Sequence, residues 1–286
     1  MSVLSRVRGT GTRTLGAADL ADVQGVLARD PVANVFVASR VEASGLDTWR
    51  LGGELWGYHV NGRLDAVCYS GANLVPVEAG PEAVRAFADR ARRQGRRCSS
   101  IVGPAPSAVA LWEQLRPAWG PAREVRANQP LMVIRGSSPT VEPDFRVKPV
   151  TPDRIDVLLP ACIAMFTEEV GVSPLGDDNG NSYRARVSEL VHAGRAFAWI
   201  EDGHVVFKAE IGAVTRDACQ IQGVWTHPAL RGRGIAAAGM SAVVEYALRD
   251  FASVVSLYVN DYNAPARAVY RRVGFEEVGA FASILF

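Results

Sequence analysis

Arg231-Gly232-Arg233-Gly234-Ile235-Ala236 is the stretch on which the reading of this chain turns. Ahead of it, Ile221-Gln222-Gly223-Val224-Trp225-Thr226 reads as a short buried strand, stopped by His227-Pro228. Behind it, residues 235–248 carry apolar side chains at Ile235, Ala238, Ala242, Val243, Tyr246 and Ala247, which is the helical period. The order is strand, turn, glycine-rich loop, helix. A loop of this kind leaves backbone N–H groups unpaired at a helix N-terminus, where the helix dipole is positive. The expected occupant is a phosphate or pyrophosphate. Gly232 and Gly234 let the backbone approach the anion with no Cβ in the way.

Gly232-x-Gly234-x-x-Ala237 formally matches a dinucleotide-binding fingerprint, but its context does not fit. Residues 227–231 separate the strand from the first glycine, and Asp250 stands before the next strand rather than after it. A surface glycine turn that binds nothing is the other plain reading. A second motif decides among them. Residues 253–260, Ser-Val-Val-Ser-Leu-Tyr-Val-Asn, read as the next strand. Asn263-Ala264-Pro265-Ala266-Arg267-Ala268-Val269-Tyr270 follows, with Gly274-Phe275 closing the helix. Arg231-x-x-Gly234-x-Ala236 resembles the pyrophosphate loop of GNAT-type N-acyltransferases. The later segment resembles that family's Asn-x-x-Ala-x-x-x-Tyr-x-x-x-Gly-Phe helix and turn. The resemblance covers roughly residues 143–286.

The resemblance implies acyl transfer from acetyl-CoA, as co-substrate, to a primary amine by direct attack in a ternary complex. It implies that backbone groups of Val224, Trp225 and Thr226 pair with the pantetheine arm like an added strand. It implies that Arg231, Gly232, Arg233, Gly234, Ile235 and Ala236 hold the pyrophosphate. The arm would enter a wedge between the strand ending at Thr226 and the strand ending at Asn260. Tyr270 matches the family tyrosine near the thioester sulfur, and a phenol can donate to a departing thiolate. Asn263 either contacts the donor or caps its own helix.

The base that frees the amine is less plain. The family often places a carboxylate on the strand before the glycine loop, where this chain has Gln220 and Gln222. Glu210 is the nearest carboxylate on the preceding strand, with Lys208 two residues away on the same strand face as a simple ion-pair partner. Glu168-Glu169 either binds a cationic acceptor or forms a solvated helix end. The missing strand carboxylate leaves room for an alternative of another class, a non-catalytic acyl-CoA sensor or interaction module.

Composition sets the frame. The chain has 286 residues, 48% of them hydrophobic, enough for one large or two ordinary domains. Lysine plus arginine number 31 against 30 acids, so no bulk charge draws the chain to nucleic acid or a membrane. Arginine greatly outnumbers lysine, as GC-rich coding produces. No apolar run approaches the length of a membrane span, and the start lacks a secretory signal. Cys68, Cys98, Cys162 and Cys219 are widely separated in apolar or small-residue settings, which suits reduced core thiols of a cytoplasmic protein. The histidines His59, His192, His204 and His227 have no metal-ligand spacing, and no metal is expected.

Taken in order, residues 1–13 read as a frayed arm, with Asp19 capping a helix through Leu27 and a second helix over 32–42. Strands at 54–60 and 64–70 flank Asn61-Gly62, a hairpin signal, and a third strand covers 72–77. A helix over 81–94 turns Val84, Phe87, Ala88 and Ala91 inward; Arg92, Arg93, Arg96 and Arg97 at its end suit a helix C-terminus in solvent. A strand at 98–102, a helix at 106–115 and closing strands over 123–134 complete the first half. Residues 136–143 read as a linker. The second half then opens with a strand at 145–150, a helix interrupted at Pro160 and resumed over 161–170, and a helix over 183–193. Strands follow at 196–201 and 205–214 across Asp202-Gly203, and the chain closes in a strand or bulged pair over 276–286. The two halves share an order of elements. We therefore expect an α/β (α+β) chain of two GNAT-like domains, 14–135 and 144–286, each a mixed, mostly antiparallel twisted sheet flanked by helices. The first lacks the arginine loop, the asparagine and the tyrosine, and reads as a degenerate copy.

Overall fold

The computed structural model describes residues 10–136, 140–176 and 178–286. They pack into two compact units. The first runs to Leu131 and takes back Tyr258–Asp261 and Val278–Phe286; the second holds Met132–Leu257 and Tyr262–Glu277. The division expected at 136–143 falls earlier: the packing parts the chain between Leu131 and Met132 and returns the last strand to the first unit. Residues 137–139 of that segment lie outside the described residues.

In the first unit, β1 (Gly11–Thr14), β2 (Gly53–Val60), β3 (Arg63–Gly71), β4 (Asn73–Val77) and β5 (Ser100–Pro104) lie side by side in that order. Next to β5 comes β12 (Glu276–Leu285), antiparallel, with Phe281 opposite Pro104 and Leu285 opposite Ser100. Neighbours are antiparallel except β4 and β5. The helices are α1 (Leu20–Leu27), α2 (Val35–Ser44), α3 (Thr48–Leu51), α4 (Pro81–Gln94) and α5 (Ala105–Trp119). Strand β6 (Glu124–Arg135) leaves the first unit after Leu131. Val84, Phe87, Ala88 and Ala91 of α4 are all buried, as their spacing predicts, and pack with Leu111 of α5 and with Ala282 and Ile284 of β12. A buried polar chain also ties segments distant in sequence. The Ser283 hydroxyl donates to Gln129, and the Gln129 amide donates to Asn260, at 2.7 and 2.8 Å.

In the second unit, β7 (Lys148–Pro149), β8 (Ala196–Glu201), β9 (His204–Val214), β10 (Ala218–Thr226) and β11 (Val254–Tyr258) are neighbours in chain order, and the end of β6 flanks β11. Here β10 and β11 run parallel, while β7 with β8, β8 with β9 and β9 with β10 are antiparallel. The helices are α6 (Ile155–Val170), α7 (Asn181–His192), α8 (Ile235–Asp250) and α9 (Ala264–Val273). Each unit thus contains a closing strand drawn from the opposite half of the sequence. The mixed sheets and flanking helices are those the sequence predicts.

Three expectations are corrected. The arm expected over 1–13 is strand from Gly11 onward, paired with His59 through Trp56 of β2; residues 1–9 lie outside the described residues. Asp19 does not cap α1: its carboxylate takes the Arg13 guanidinium at 2.5 Å and the Gly16 N–H at 3.0 Å, and the Arg13 hydrogen bond holds it below the usual carboxylate range. Helix α6 is unbroken at Pro160. Pro160 and Asp156 are both exposed, so the carbonyl deprived of its N–H partner faces water, while Ile155, Leu158, Ala161 and Cys162 keep one buried face across the proline. The same reason carries α5 past Pro117 to Trp119.

Candidate active site

The chemistry-bearing residues gather in the second unit around the end of β10. Strand β10 pairs with β9 through Gln222, opposite Glu210, and resumes at Trp225, opposite Lys208. Gly223 and Val224 therefore face the single residue Ala209, a β-bulge. Gly223 has φ +60°, the left-handed region open to glycine. On its other side β10 pairs with β11 at Ala218, Cys219 and Gln220, and among the described residues the register ends there. The last six residues of β10 are thus an edge, and they include Val224, Trp225 and Thr226.

Eight residues separate β10 from α8, against three in the matching connection between β4 and α4. Gly232 and Gly234 have φ +78° and +79°. A Cβ at either would meet nothing within 4 Å, so backbone conformation rather than crowding asks for glycine. Gly234 is the N-cap of α8 and supplies no side-chain bond; the first turn holds no acid. Ile235 and Ala236 precede the first intrahelical bonds, which Ala237 and Ala238 make to the Gly234 carbonyl. Their N–H groups, with the exposed Arg233, form an uncapped positive end suited to an anion. Arg231 instead turns back: its Nε donates to the Thr226 carbonyl at 3.0 Å and its Nη2 to Glu168 at 2.7 Å.

Glu168, near the end of α6, also accepts the Trp225 indole N–H at 3.1 Å. It ties α6 to both β10 and the loop. With side chains about half exposed (49% and 45%), the Arg231–Glu168 pair is worth only about 0–1 kcal/mol. Neighbouring Glu169 acts on Tyr270. Burial first, then the Glu169 charge, pushes the Tyr270 phenol up and keeps it protonated. Tyr270 is 7% exposed, packed edge-on against Phe275. Asn263 uses its side-chain oxygen as the N-cap of α9, accepting from Ala266 N at 3.1 Å.

Glu210 lies beneath the bulge. Its Oε1 accepts from Lys208 Nζ at 2.5 Å and from the Cys162 thiol at 3.7 Å. The Tyr183 hydroxyl of α7 donates to the Cys162 carbonyl at 2.9 Å. The ion pair expected between Lys208 and Glu210 is therefore present, and it is buried. Gln222 turns its amide onto Gly212, where a Cβ would clash. Sequence reasoning missed Cys162, Tyr183 and the role of Gly223. An isolated glycine inside a strand is the signal that could have found the bulge. Among the described residues no group of three or more His, Cys, Asp and Glu is placed to hold a metal, and no helix is long and apolar enough to cross a membrane.

Comparison with known proteins agrees with this geometry. Residues 164–275 match the model of the acetyltransferase (GNAT) family, and residues 53–158 match a domain of unknown function, DUF4081. An uncharacterized N-acetyltransferase of Methanocaldococcus jannaschii is 37% identical over 62 residues, 22% of this chain and 27% of that protein. A mycothiol acetyltransferase of Brachybacterium faecium is 39% identical over 83 residues, 29% of this chain and 23% of that protein. The matched stretches thus span about a quarter of those curated relatives. A solved tandem GNAT protein from the clavulanic acid biosynthesis pathway superposes over 96% of this chain and 98% of its own, at TM-score 0.56 and 16% identity, a likeness of fold. Family members use acetyl-CoA as co-substrate and act on amine acceptors. The loop, the bulged strand and the family match all fall in one segment: residues 164–275 of this chain match the acetyltransferase (GNAT) family, and the whole chain has the fold of a tandem GNAT protein.

Proposed function

We propose that this chain moves an acetyl group from acetyl-CoA to a primary amine by direct attack in a ternary complex, and that the second unit carries the reaction. One observation bears most of the weight: a loop with two positive-φ glycines leads from a bulged edge strand into an uncapped helix N-terminus. The N–H groups from Gly232 to Ala236, with Arg231 and Arg233, bind the pyrophosphate. The backbone of Val224, Trp225 and Thr226 pairs with the pantetheine arm. Asn263 keeps its side-chain oxygen on the helix cap and offers its amide N–H groups to the donor.

Glu210 takes a proton from the acceptor ammonium, the neutral amine attacks the thioester carbonyl, and the tetrahedral intermediate expels the CoA thiolate. Tyr270 donates to that thiolate; its burial keeps the phenol protonated across the working range. Glu168 and Glu169 favour a cationic acceptor. The first unit takes no donor of its own. A non-catalytic acyl-CoA-binding module is the second reading. What favours it is that Glu210 and Glu168 are both already ion-paired. Release of free CoA from acetyl-CoA in the presence of a panel of primary amines separates the two. Amine-dependent release supports the transferase. Tight CoA binding without any amine-dependent release supports the module.

A further inference from the structure

Of the 31 lysines and arginines in this chain, only Lys148 and Lys208 are lysines. Lys148 is exposed on β7, whereas Lys208 is fully buried on β9, at 0% exposure. A chain that uses arginine almost everywhere has a lysine at this fully buried position. The surroundings give the reason. Nζ sits 2.5 Å from Glu210 Oε1, and a Cβ added at Gly223 would lie 3.2 Å from Nζ and 3.1 Å from Glu210 Oε2. A compact ammonium suits this close packing beneath Gly223. Oε1 is taken by Lys208 and Cys162, while Oε2 faces the bulge at Gly223.

We propose that Lys208 is a positioning residue for acyl transfer: it grips one oxygen of Glu210 so that the other is presented as a carboxylate oxygen at the opening in β10. The assignment rests on the reading of Glu210 as the group that deprotonates the acceptor. In that step the proton passes from the acceptor ammonium to Oε2, and Lys208 keeps its own three protons throughout. The groups facing the pair are Cys162 from α6, Tyr183 from α7, Gln222 and Trp225 opposite on β10, and Ala196 and Ala198 on β8. None of these brings a competing charge. Burial pushes Cys162 up to about 11 and Tyr183 further, so both stay neutral. Burial works most strongly against the Lys208 ammonium, but Glu210 and Cys162 together outweigh it and the lysine ends above its ordinary value.

The two-lysine composition makes the test direct. In protein labelled with ¹⁵N-lysine, Lys208 should give a slowly exchanging ammonium signal at neutral pH that Lys148 lacks, and Glu210→Gln should abolish it. A neutral or fast-exchanging Lys208 in the wild-type protein would overturn the proposal. In amine-dependent CoA release, Lys208→Met should slow turnover roughly tenfold or more and move the acid limb of the kcat/KM profile upward. The Lys208→Met/Glu210→Gln pair, which leaves no unpaired buried charge, controls for folding and should match Glu210→Gln alone. If Glu210→Gln retains full turnover, the base assignment fails and takes the positioning role with it. If Glu210→Gln is slow but Lys208→Met leaves rate and pH profile unchanged, the positioning role alone fails.

Discussion

The two units repeat one order of elements, yet they differ where a helix follows the strand of the parallel pair. In the second unit β10 ends in an eight-residue connection with two positive-φ glycines and two arginines, and α8 starts without a cap or an acid. In the first unit β4 ends in three residues, and α4 starts with Pro81 and Glu82. Pro81 removes one N–H that an anion would need. Glu82 accepts from the Tyr58 hydroxyl at 3.3 Å, and Glu78, held at φ +53°, accepts from the buried Asn34 amide at 3.0 Å. The helix dipole there is met by carboxylates of the chain itself. The parallel strands differ too. Both parallel ladders are short, ending at Leu74 opposite Ile101 and at Gln220 opposite Ser256, but beyond the first one Gly103 of β5 still backs so closely on β4 that a Cβ would lie 3.2 Å from the Pro76 carbonyl. Element order alone does not make a donor site. On the proposed reading, an open strand edge and an unsatisfied helix end do.

The comparison can be broken most sharply at Gly234. A glutamate there adds a Cβ at φ +79° and a negative charge at the proposed anion site. We expect Gly234→Glu to weaken CoA binding by at least about a hundredfold in calorimetry. Glu82→Gln in the first unit should leave that binding unchanged, and a matching loss there would erase the distinction between the units. Next in size, Tyr270→Phe should lower amine-dependent turnover about a hundredfold with little change in CoA affinity. Helix α5 of the first unit has no tyrosine to substitute for it, and unchanged turnover would remove Tyr270 from the mechanism.

Two smaller effects concern stability. Burial raises Cys162 to about 11 and Cys219 to about 12 from an ordinary 9.0. Unfolding releases thiols that lose their protons sooner than the buried ones do. Stability from this source is whole below pH 9.0 and drains away as pH rises toward those values; Lys208, also raised, acts in the same direction. Thermal unfolding of the Cys162→Ala/Cys219→Ala protein should therefore show a shallower alkaline decline than wild type; equal slopes would contradict it. Smallest, Asn263→Ala should cost about 1 kcal/mol in denaturant unfolding through its lost cap, and Asn263→Asp should restore it.

Much of this was legible before the structure, for local reasons. Asn61-Gly62 and Asp202-Gly203 all take positive φ, as their residue types ask, and both hairpins form there. The helix over 81–94 has the bounds that Pro81 and its apolar spacing dictate. The glycine loop and α8 were readable for the same reason. What escaped was decided by partners far along the chain. Pro160 looks like a helix break until the buried face it spans is known. The β-bulge depends on what opposes Gly223, and Lys208 meets Cys162 across 46 residues of sequence. The return of β12 to the first unit rests on its ladder with β5, which no local pattern signals.

The central claim is that one unit, the second, binds the donor. Its most direct test is the stoichiometry of CoA binding by calorimetry on the intact chain, with Gly234→Glu run alongside. The account predicts one site per chain, lost in the variant. Two sites per chain, or a single site that survives Gly234→Glu, would contradict it.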